Sequence, residues 1–235
     1  MHTHICIDIY KYLNIMIDAM KRLKYKNTGL ILLVMVFTLP SIQCTEVTGL
    51  NDEILPGNGS VDSSLYSESL NGAEIEGIQF MREEEKLARD VYTYLYGLHN
   101  MRPFLNISRS EQAHMDAVKY LIDTYGLDDP AGEELAGVFQ NEELQKLYKD
   151  LIARGSESRV EALKVGALIE EVDIIDLDHE LEVNAENEDV IRVYTNLCKA
   201  SENHLRVFVR LLKFYEVDYE PVKLSPSEFD RIMNE

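Results

Sequence analysis

The stretch that decides the fold is ALKVGALIEEVDIIDL at residues 162–177, an apolar segment that carries acidic residues within its apolar face. At a helical period, Glu170 and Asp173 share one face with apolar and small residues, namely Leu163, Gly166, Ala167, Ile174 and Leu177. Two carboxylates buried without partners would be very costly, and a bound cation would offset that cost. The alternative is that acids at the edge of the stripe reach outward to solvent, as we expect for Glu171 and Asp176.

The sequence around this segment predicts an all-α domain at residues 74–220. Helical periodicity marks four long helices at 74–98, 107–125, about 156–182 and 188–215, and a shorter helical piece at 142–153. Pro103 and Asn106 predict a short connection between the first two helices, and Ser225-Pro226 begins a C-terminal helical turn within residues 221–235. Short connections within each pair, with a long crossover carrying a short extra helix between the pairs, are typical of a ferritin-like four-helix bundle.

The N-terminal residues 1–44 have the layout of an extension followed by a secretory signal peptide. The apolar run TGLILLVMVFTLP at residues 28–40 follows four basic residues between positions 21 and 26. Starting at Met20 gives a signal of ordinary proportions, in which case residues 1–19 are an over-extended start. Cys44 lies where a bacterial lipoprotein signal places its acylated cysteine, although Ser41-Ile42-Gln43 departs from the usual pattern. Ordinary cleavage and a retained anchor are the alternatives.

Residues 45–73 are rich in Gly, Ser, Asn, Asp and Glu and predict a disordered acidic and polar linker. The leader and this linker together predict export to the cell envelope, with either a lipid anchor at Cys44 or a periplasmic or extracellular location. Contact with a membrane is expected only through the leader or the lipid anchor.

Charge and cysteine content exclude several classes of function. The chain has a formal net charge of -19, from 42 acidic and 23 basic residues. Nucleic acids and anionic membrane surfaces require clusters of Lys or Arg, so neither is an expected partner. The three cysteines, Cys6, Cys44 and Cys198, form no Cys-x-x-Cys pair, which excludes a zinc ribbon and thioredoxin-type chemistry.

A second group of candidate metal ligands lies on the predicted second helix, in SEQAHMDAV at residues 110–118. Glu111 and His114 are three residues apart and project from one face, so a carboxylate oxygen and an imidazole nitrogen can reach the same ion. Ser108 and Glu111 also have the spacing of a helix capping box, which is the structural alternative for this glutamate.

The first and fourth long helices supply the remaining candidates. Glu84 and Glu85 both align with apolar neighbours, and periodicity does not choose which one faces inward. His204 lies on the apolar stripe of the fourth helix, where a lone histidine is more often a hydrogen-bonded core residue than a ligand. With one of the two glutamates, the inward set comprises Glu111, Glu170, Asp173, His114 and His204. Four carboxylates and two imidazoles are the ligand set of a two-metal site in a bundle core, and they suit iron or manganese.

These residues also carry a resemblance to the ferritin-like superfamily. The segment from Glu85 to Tyr92, EKLARDVY, resembles the Glu-x-x-Ala-Arg-x-x-Tyr motif of rubrerythrins, and residues 110–118 resemble their second-helix Glu-x-x-His. This resemblance implies that Glu85 is the ligand rather than Glu84, and that Tyr92 packs beside the site. The chain is similar, over about residues 76–220, to a bacterial and archaeal ferritin-like family with a domain of unknown function. The segments that carry this similarity are EEEKLARDVY, SEQAHMDAV, ALKVGALIEEVDIIDL and Asn203-His204-Leu205-Arg206.

One departure from the superfamily pattern concerns the fourth helix. The superfamily repeats Glu-x-x-His there, whereas this chain has Ser201 three residues before His204. Asp173 is the candidate for the missing carboxylate, with Ser201 beside it, and without it the site would be mononuclear or degenerate.

The resemblance implies two iron or manganese ions that react with dioxygen or peroxide, which would make the protein a di-iron or di-manganese oxidoreductase. The alternative is a non-catalytic, envelope-tethered domain that sequesters metal or serves as an interaction surface. No rubredoxin-like cysteine module is present in the sequence. The oligomeric state is not defined by the sequence, and a dimer is compatible with it.

Overall fold

The computed structural model describes residues 69–133 and 135–235. Within these ranges the chain forms α-helices and no β-strand. The helices are α1 (Gly72–His99), α2 (Arg102–Tyr125), α3 (Glu142–Gly155), α4 (Arg159–His179), α5 (Glu188–Phe214) and α6 (Pro226–Asn234), and a π-helical turn at Glu180–Asn184 continues α4. The predicted leader, Cys44 and all of the predicted linker before residue 69 lie outside the described residues. No helix in the described part of the chain is both long enough and apolar enough to cross a membrane.

The four long helices α1, α2, α4 and α5 form a bundle. Helix α1 packs mainly against α2, and α4 packs mainly against α5. Contacts of α2 with α5 and of α1 with α4 close the bundle, while α3 lies in the crossover and contacts both α1 and α4. The apolar faces of these helices form one continuous core. Any carboxylate that faces inward is therefore removed from water, which strengthens every electrostatic interaction it makes.

Helix α2 begins at Arg102, five residues before its predicted start at residue 107. Pro103 does not interrupt the helix because it lies in the first turn, where an N–H group would have no helical partner. Ser108 therefore lies inside the helix, where its hydroxyl donates to the Leu105 carbonyl at 3.0 Å. The capping-box interpretation of Ser108 and Glu111 is wrong, because the N-cap of α2 is Met101.

Several buried glutamates hold the connections between helices. Glu83 accepts hydrogen bonds from the backbone N–H groups of Gln140 and Asn141 at 2.5 and 2.9 Å, which fixes the crossover onto α1. Glu171 accepts bonds from the backbone N–H groups of residues 222–224 and from the Tyr219 hydroxyl. The C-terminal segment is thereby attached to α4.

The expectation that Glu171 and Asp176 reach outward to solvent is wrong. Glu171 is 0% exposed and Asp176 is 6% exposed. Glu171 remains inside because donors from residues 219–224 cover it, and that segment lies about fifty positions further along the chain. Helical periodicity describes one helix at a time, so it does not detect a polar partner that arrives from a distant segment.

A close approach of α4 and α5 sets the width of the bundle beside the inward carboxylates. A Cβ atom at Gly166 would lie 2.5 Å from Cε1 of Phe208, so only glycine fits at this contact. The Phe208 ring packs in turn against Tyr92, with ring centroids 5.4 Å apart. The glycine in the middle of ALKVGALIEEVDIIDL therefore brings α5 close to the carboxylates of α4.

Candidate metal centre

Glu111 lies at the centre of a buried cluster of carboxylates and imidazoles. Its two carboxylate oxygens face different histidines. Oε2 is 2.7 Å from Nδ1 of His114, one helical turn further along α2, and Oε1 is 2.9 Å from Nδ1 of His204 on α5. Glu111 is 1% exposed, and both histidines are largely buried as well. A single carboxylate thus connects two imidazoles from different helices.

Two groups of three potential ligands share Glu111. One group consists of Glu85, Glu111 and His114, and the other of Glu111, Glu170 and His204. Within each group, one ligand atom from each residue lies within 4.8 Å of the others. Glu85 approaches His114 Nδ1 at 3.2 Å, and Glu170 approaches His204 Nδ1 at 3.4 Å. The structure thus brings five of the six predicted ligands into two adjoining triads.

The spacing of these atoms suits an ion between them. Two ligands that each bind a metal at about 2.1 Å and at a right angle are about 3 Å apart. The distances from Nδ1 of the histidines to the carboxylate oxygens run from 2.7 to 3.4 Å. His204 Nδ1 and Glu111 Oε1 are 2.9 Å apart but are not aligned for a hydrogen bond.

Asp173 lies beside the triads but belongs to neither of them. The Ser201 hydroxyl of α5 donates a hydrogen bond to its Oδ2 atom, and Oδ1 is buried without a hydrogen-bond partner. Burial raises the pKa of Asp173 well above its usual range, and negative charge on Glu85, Glu170 and Glu111 adds to this effect. Asp173 is therefore close enough to three candidate ligand carboxylates for their charge to raise its pKa. Its Oδ1 atom has no hydrogen-bond partner and could bind a metal ion.

Tyr92 orients Glu170. Its hydroxyl donates to Oε1 of Glu170 at 2.5 Å, which leaves Oε2 facing His204. The ring is 0% exposed and packs between Phe104 and Phe208, with centroid separations of 6.0 and 5.4 Å. A hydrogen bond to a carboxylate that could bind metal fixes its direction, as outer partners do in known metal sites.

Unsatisfied atoms distinguish this cluster from the buried acids that hold the connections. Both oxygens of Glu83 and both oxygens of Glu171 accept backbone N–H bonds. In the cluster, by contrast, four potential ligand atoms are buried without any hydrogen-bond partner, namely Glu85 Oε1, Glu111 Oε1, Asp173 Oδ1 and His204 Nδ1. Buried polar atoms are almost always paired, so four exceptions at one place call for a further partner.

The electrostatics of the cluster show how it holds its charge without a metal ion. Burial lowers the pKa of the two histidines, but the neighbouring carboxylates outweigh this and raise the pKa of His114 to about 12 and of His204 to about 10. Burial raises the pKa of Glu111, but the two neighbouring histidines outweigh burial and lower it to about 2. Burial raises the pKa of Glu85 to about 7 and also raises that of Glu170. Raised pKa values on the imidazoles and on the outer carboxyls both reduce the net negative charge of the cluster when no metal is bound.

Of the two neighbouring glutamates, Glu85 is the one that lies in the cluster. Glu85 faces His114, whereas Glu84 lies next to Asp176 on the neighbouring face of α1. Burial raises the pKa of both members of this acid pair, that of Asp176 to about 7. Each member also has one buried oxygen without a hydrogen-bond partner. This pair was not predicted from the sequence; the spacing of Asp173 and Asp176, three residues apart on α4, is the signal that could have indicated it.

Both histidines lie at the edge of the cluster nearest to solvent. Their rings stack with centroids 5.6 Å apart, and their side chains are 9% and 11% exposed, whereas those of Glu85, Glu111 and Glu170 are at most 2% exposed. His114 is on α2 and His204 is on α5. The two histidines are therefore the most solvent-exposed of the five residues in the triads.

The part of the chain that matches known proteins contains the whole cluster. The family model described as "Uncharacterized protein domain (DUF2202)" matches residues 74–235. An uncharacterized protein of Methanocaldococcus jannaschii, MJ0754, is 48% identical over 172 residues, which cover 73% of this chain and 92% of that protein. The crystal structure of hypothetical protein MJ0754 from Methanococcus jannaschii matches with a TM-score of 0.71 and 47% identity, over 73% of this chain and 98% of that chain. The predicted all-α fold is confirmed by this likeness.

Proposed function

The chain belongs to the DUF2202 family, and we propose that it is a ferritin-like metalloprotein that binds two ions of iron or manganese in the core of its helical bundle. One observation carries this proposal. Two ligand triads share the carboxylate of Glu111, and four buried ligand atoms in and beside them lack hydrogen-bond partners. Two cations placed on either side of Glu111 would satisfy those atoms and compensate the buried negative charge.

Each residue of the cluster has a distinct role in this proposal. Glu111 would contribute one carboxylate oxygen to each of the two metal positions. Glu85 and His114 complete the first position, and Glu170 and His204 complete the second. Both histidines bind through Nδ1, because that nitrogen faces the carboxylates. Asp173 would add a further carboxylate from α4, through its unpaired Oδ1 atom. Oxygen and imidazole ligands suit iron and manganese better than the thiolate-preferring metals.

The proposed activity is an oxidoreduction with dioxygen or hydrogen peroxide. A ferrous pair would supply two electrons, which with two protons convert dioxygen to hydrogen peroxide or hydrogen peroxide to two waters. The surrounding residues supply the conditions for this chemistry. Tyr92 holds Glu170 in one orientation, and the apolar core excludes bulk water.

The activity is tested by loading the purified chain with ferrous ions under argon and adding hydrogen peroxide or dioxygen in separate experiments. We expect the loaded protein to consume at least one oxidant faster than the same concentration of free ferrous ion, and ferric absorbance should grow in step. Metal that binds firmly but reacts no faster than free ions would contradict the oxidoreductase and favour sequestration. The reacting centre must also be regenerated by a reductant over several cycles if the protein is a catalyst.

Ser201 provides a prediction about the contribution of Asp173 to metal binding. Replacing Ser201 with alanine removes the hydroxyl that donates to Asp173 Oδ2, so the carboxyl will hold its proton more firmly and compete less well for metal. We expect the affinity for one of the two ions to fall by about 10- to 100-fold, which is typical when an outer partner of a ligand is lost. Titration with Mn²⁺ followed by electron paramagnetic resonance will resolve the two binding events.

The matched control is Ser201→Thr, which keeps a hydroxyl at the same position and should retain both affinities. Unchanged binding of both ions to the alanine variant would exclude a role for the Ser201 hydroxyl in the centre while leaving the two triads in place. Equal weakening in the threonine variant would point to a packing effect, because Ser201 is 0% exposed.

A further inference from the structure

An apolar cavity lies on the other side of the bundle from the two histidines, between α1, α3 and α4. Leucine side chains from all three helices form most of its wall, including Leu87, Leu144, Leu151 and Leu168. The remaining wall consists of Leu147, Ile169 and Val172, with Glu84 and Lys223 as the two polar residues. Leu147 and Lys223 are the partly exposed members of this wall, so the cavity opens to solvent beside them.

The size and polarity of the cavity suit a small apolar molecule. Its volume is about 20 Å³, and about 10 to 15 Å³ is enough to hold one water-sized molecule. A buried water typically makes about three hydrogen bonds, whereas seven of the nine wall residues here have apolar side chains. Cavities lined by leucine and isoleucine stay dry and bind apolar guests such as xenon. A diatomic gas has the right dimensions and needs no hydrogen bonds.

The cavity adjoins the proposed metal centre through two helices. Glu84 and Val172 line it, and each directly precedes a residue of the cluster in sequence, Glu85 on α1 and Asp173 on α4. Consecutive residues of an α-helix point about 100° apart, so the cavity and the centre occupy neighbouring faces of the same two helices. One oxygen of Glu84 is buried without a hydrogen-bond partner at this boundary.

We propose that this cavity is a binding site for dioxygen beside the metal centre. The inference rests on the proposed function and makes it more specific, because it names dioxygen as the oxidant that reaches the metal centre. Polar reactants and metal ions approach past His114 and His204, between α2 and α5. Dioxygen enters beside Leu147 and crosses the leucine-lined cavity, so the apolar reactant has a route of its own.

Xenon tests the cavity without any metal. Crystals of the metal-free protein are pressurised with xenon gas, and its anomalous signal locates the atom. We expect a xenon atom bounded by Leu87, Leu151 and Leu168. The proposal is overturned if xenon is absent from the cavity, or if ordered water fills the same space before pressurisation. Because no metal is needed, this result is independent of whether the chain binds ions.

A substitution at the opening tests the link to the centre. Leu147→Phe enlarges a partly exposed side chain of the wall, and Ile152→Phe is the matched control on the same helix, partly buried but outside the wall. We expect Leu147→Phe to slow oxidation of bound ferrous ions by dioxygen several-fold, with unchanged oxidation by hydrogen peroxide and unchanged metal content. Oxidation by dioxygen at the wild-type rate would overturn the proposal. If the wild-type chain takes up no metal, the proposed function fails in the metal analysis itself, before this comparison is made.

Discussion

We expect the replacement of Glu111 with glutamine to abolish binding at both proposed metal positions. Both triads depend on this carboxylate, one through each of its oxygens. Glutamine keeps the shape but loses the negative charge, and its amide nitrogen cannot bind a cation. We expect the affinity for each ion to fall by more than about 100-fold, because changes to outer partners alone cost about 10- to 100-fold. Metal analysis of the desalted variant by plasma mass spectrometry will then find almost none.

The control for this variant is Asp116→Asn, which removes one carboxylate from the exposed face of the same helix. It should retain the full metal content. Circular dichroism will establish that both variants remain helical. A Glu111→Gln protein that still holds two ions would contradict the bridging role, and one that holds a single ion would mean that the triads are independent sites.

We expect the free energy of unfolding of the metal-free protein to fall as the pH rises. The carboxyl of Glu85 has its pKa raised from an ordinary value of 4.5 to about 7. Its contribution to stability is therefore fully present below about pH 4.5 and is lost as the pH rises through about 7. The pKa values of Glu170 and Asp173 are also raised, so both act in the same direction. Each extra proton held only by the folded state changes the free energy of unfolding by about 1.4 kcal/mol per pH unit.

The two histidines and Glu111 also contribute to the free energy of unfolding, each over its own pH range. The folded-state pKa of His114 and His204 is raised from 6.5, so their contribution is present below about pH 6.5 and declines as the pH rises toward their folded values. Glu111 acts in the opposite sense, because its pKa is lowered from 4.5 to about 2. Its contribution is complete above about pH 4.5 and is lost only in strong acid, so it stays constant while Glu85 and the histidines titrate.

Metal binding reverses this trend. Ions displace the protons from carboxyls and imidazoles, so metal affinity increases with pH. A ligand at about 1,000 times its dissociation constant stabilises the folded state by about 4 kcal/mol. We therefore expect the melting temperatures of the Mn²⁺-loaded and the chelator-treated protein to diverge steadily from about pH 5 to about pH 8. Scanning calorimetry of both forms in one set of buffers measures the difference.

The Glu111→Gln protein is the control for this pH series, because its melting temperature should not respond to added Mn²⁺ at any pH. A metal-free wild-type protein that becomes more stable between about pH 5 and about pH 8 would contradict the assignment of protons to the buried carboxyls. Equal melting temperatures of the wild-type protein with and without Mn²⁺ across the whole pH range would contradict metal binding.

Local periodicity predicted the helices well because the residues that determine where a helix forms lie mostly within that helix. The fourth long helix, predicted at 188–215, is α5 at Glu188–Phe214, and the short crossover helix predicted at 142–153 is α3 at Glu142–Gly155. The start of α2 was predicted five residues late because Pro103 was interpreted as part of a connection. Proline ends a helix in its interior but is well tolerated in its first turn, and sequence alone did not distinguish the two positions.

The cluster itself was only partly predictable, because its members meet across helices. The three-residue spacing of Glu111 and His114 lies within one helix and is visible in the sequence. The position of Glu85 against His114, rather than of Glu84, depends on how α1 is rotated against α2. The partners of Glu171 lie about fifty residues away. An inward acid that holds a connection and an inward acid that faces the cluster therefore look alike in sequence. They differ in the structure, where the first has hydrogen-bond partners for both carboxylate oxygens and the second does not.

Two ions bound around Glu111 in the bundle core are the feature on which the proposed chemistry depends. The most direct measurement is a crystal structure of the protein grown with Mn²⁺, with anomalous diffraction used to locate the metal. We predict two manganese peaks on opposite sides of the Glu111 carboxylate, one beside Nδ1 of His114 and the other beside Nδ1 of His204. A core without manganese in crystals grown at saturating Mn²⁺, with water or protons satisfying Glu85, Glu111 and Glu170, would contradict the two-metal centre.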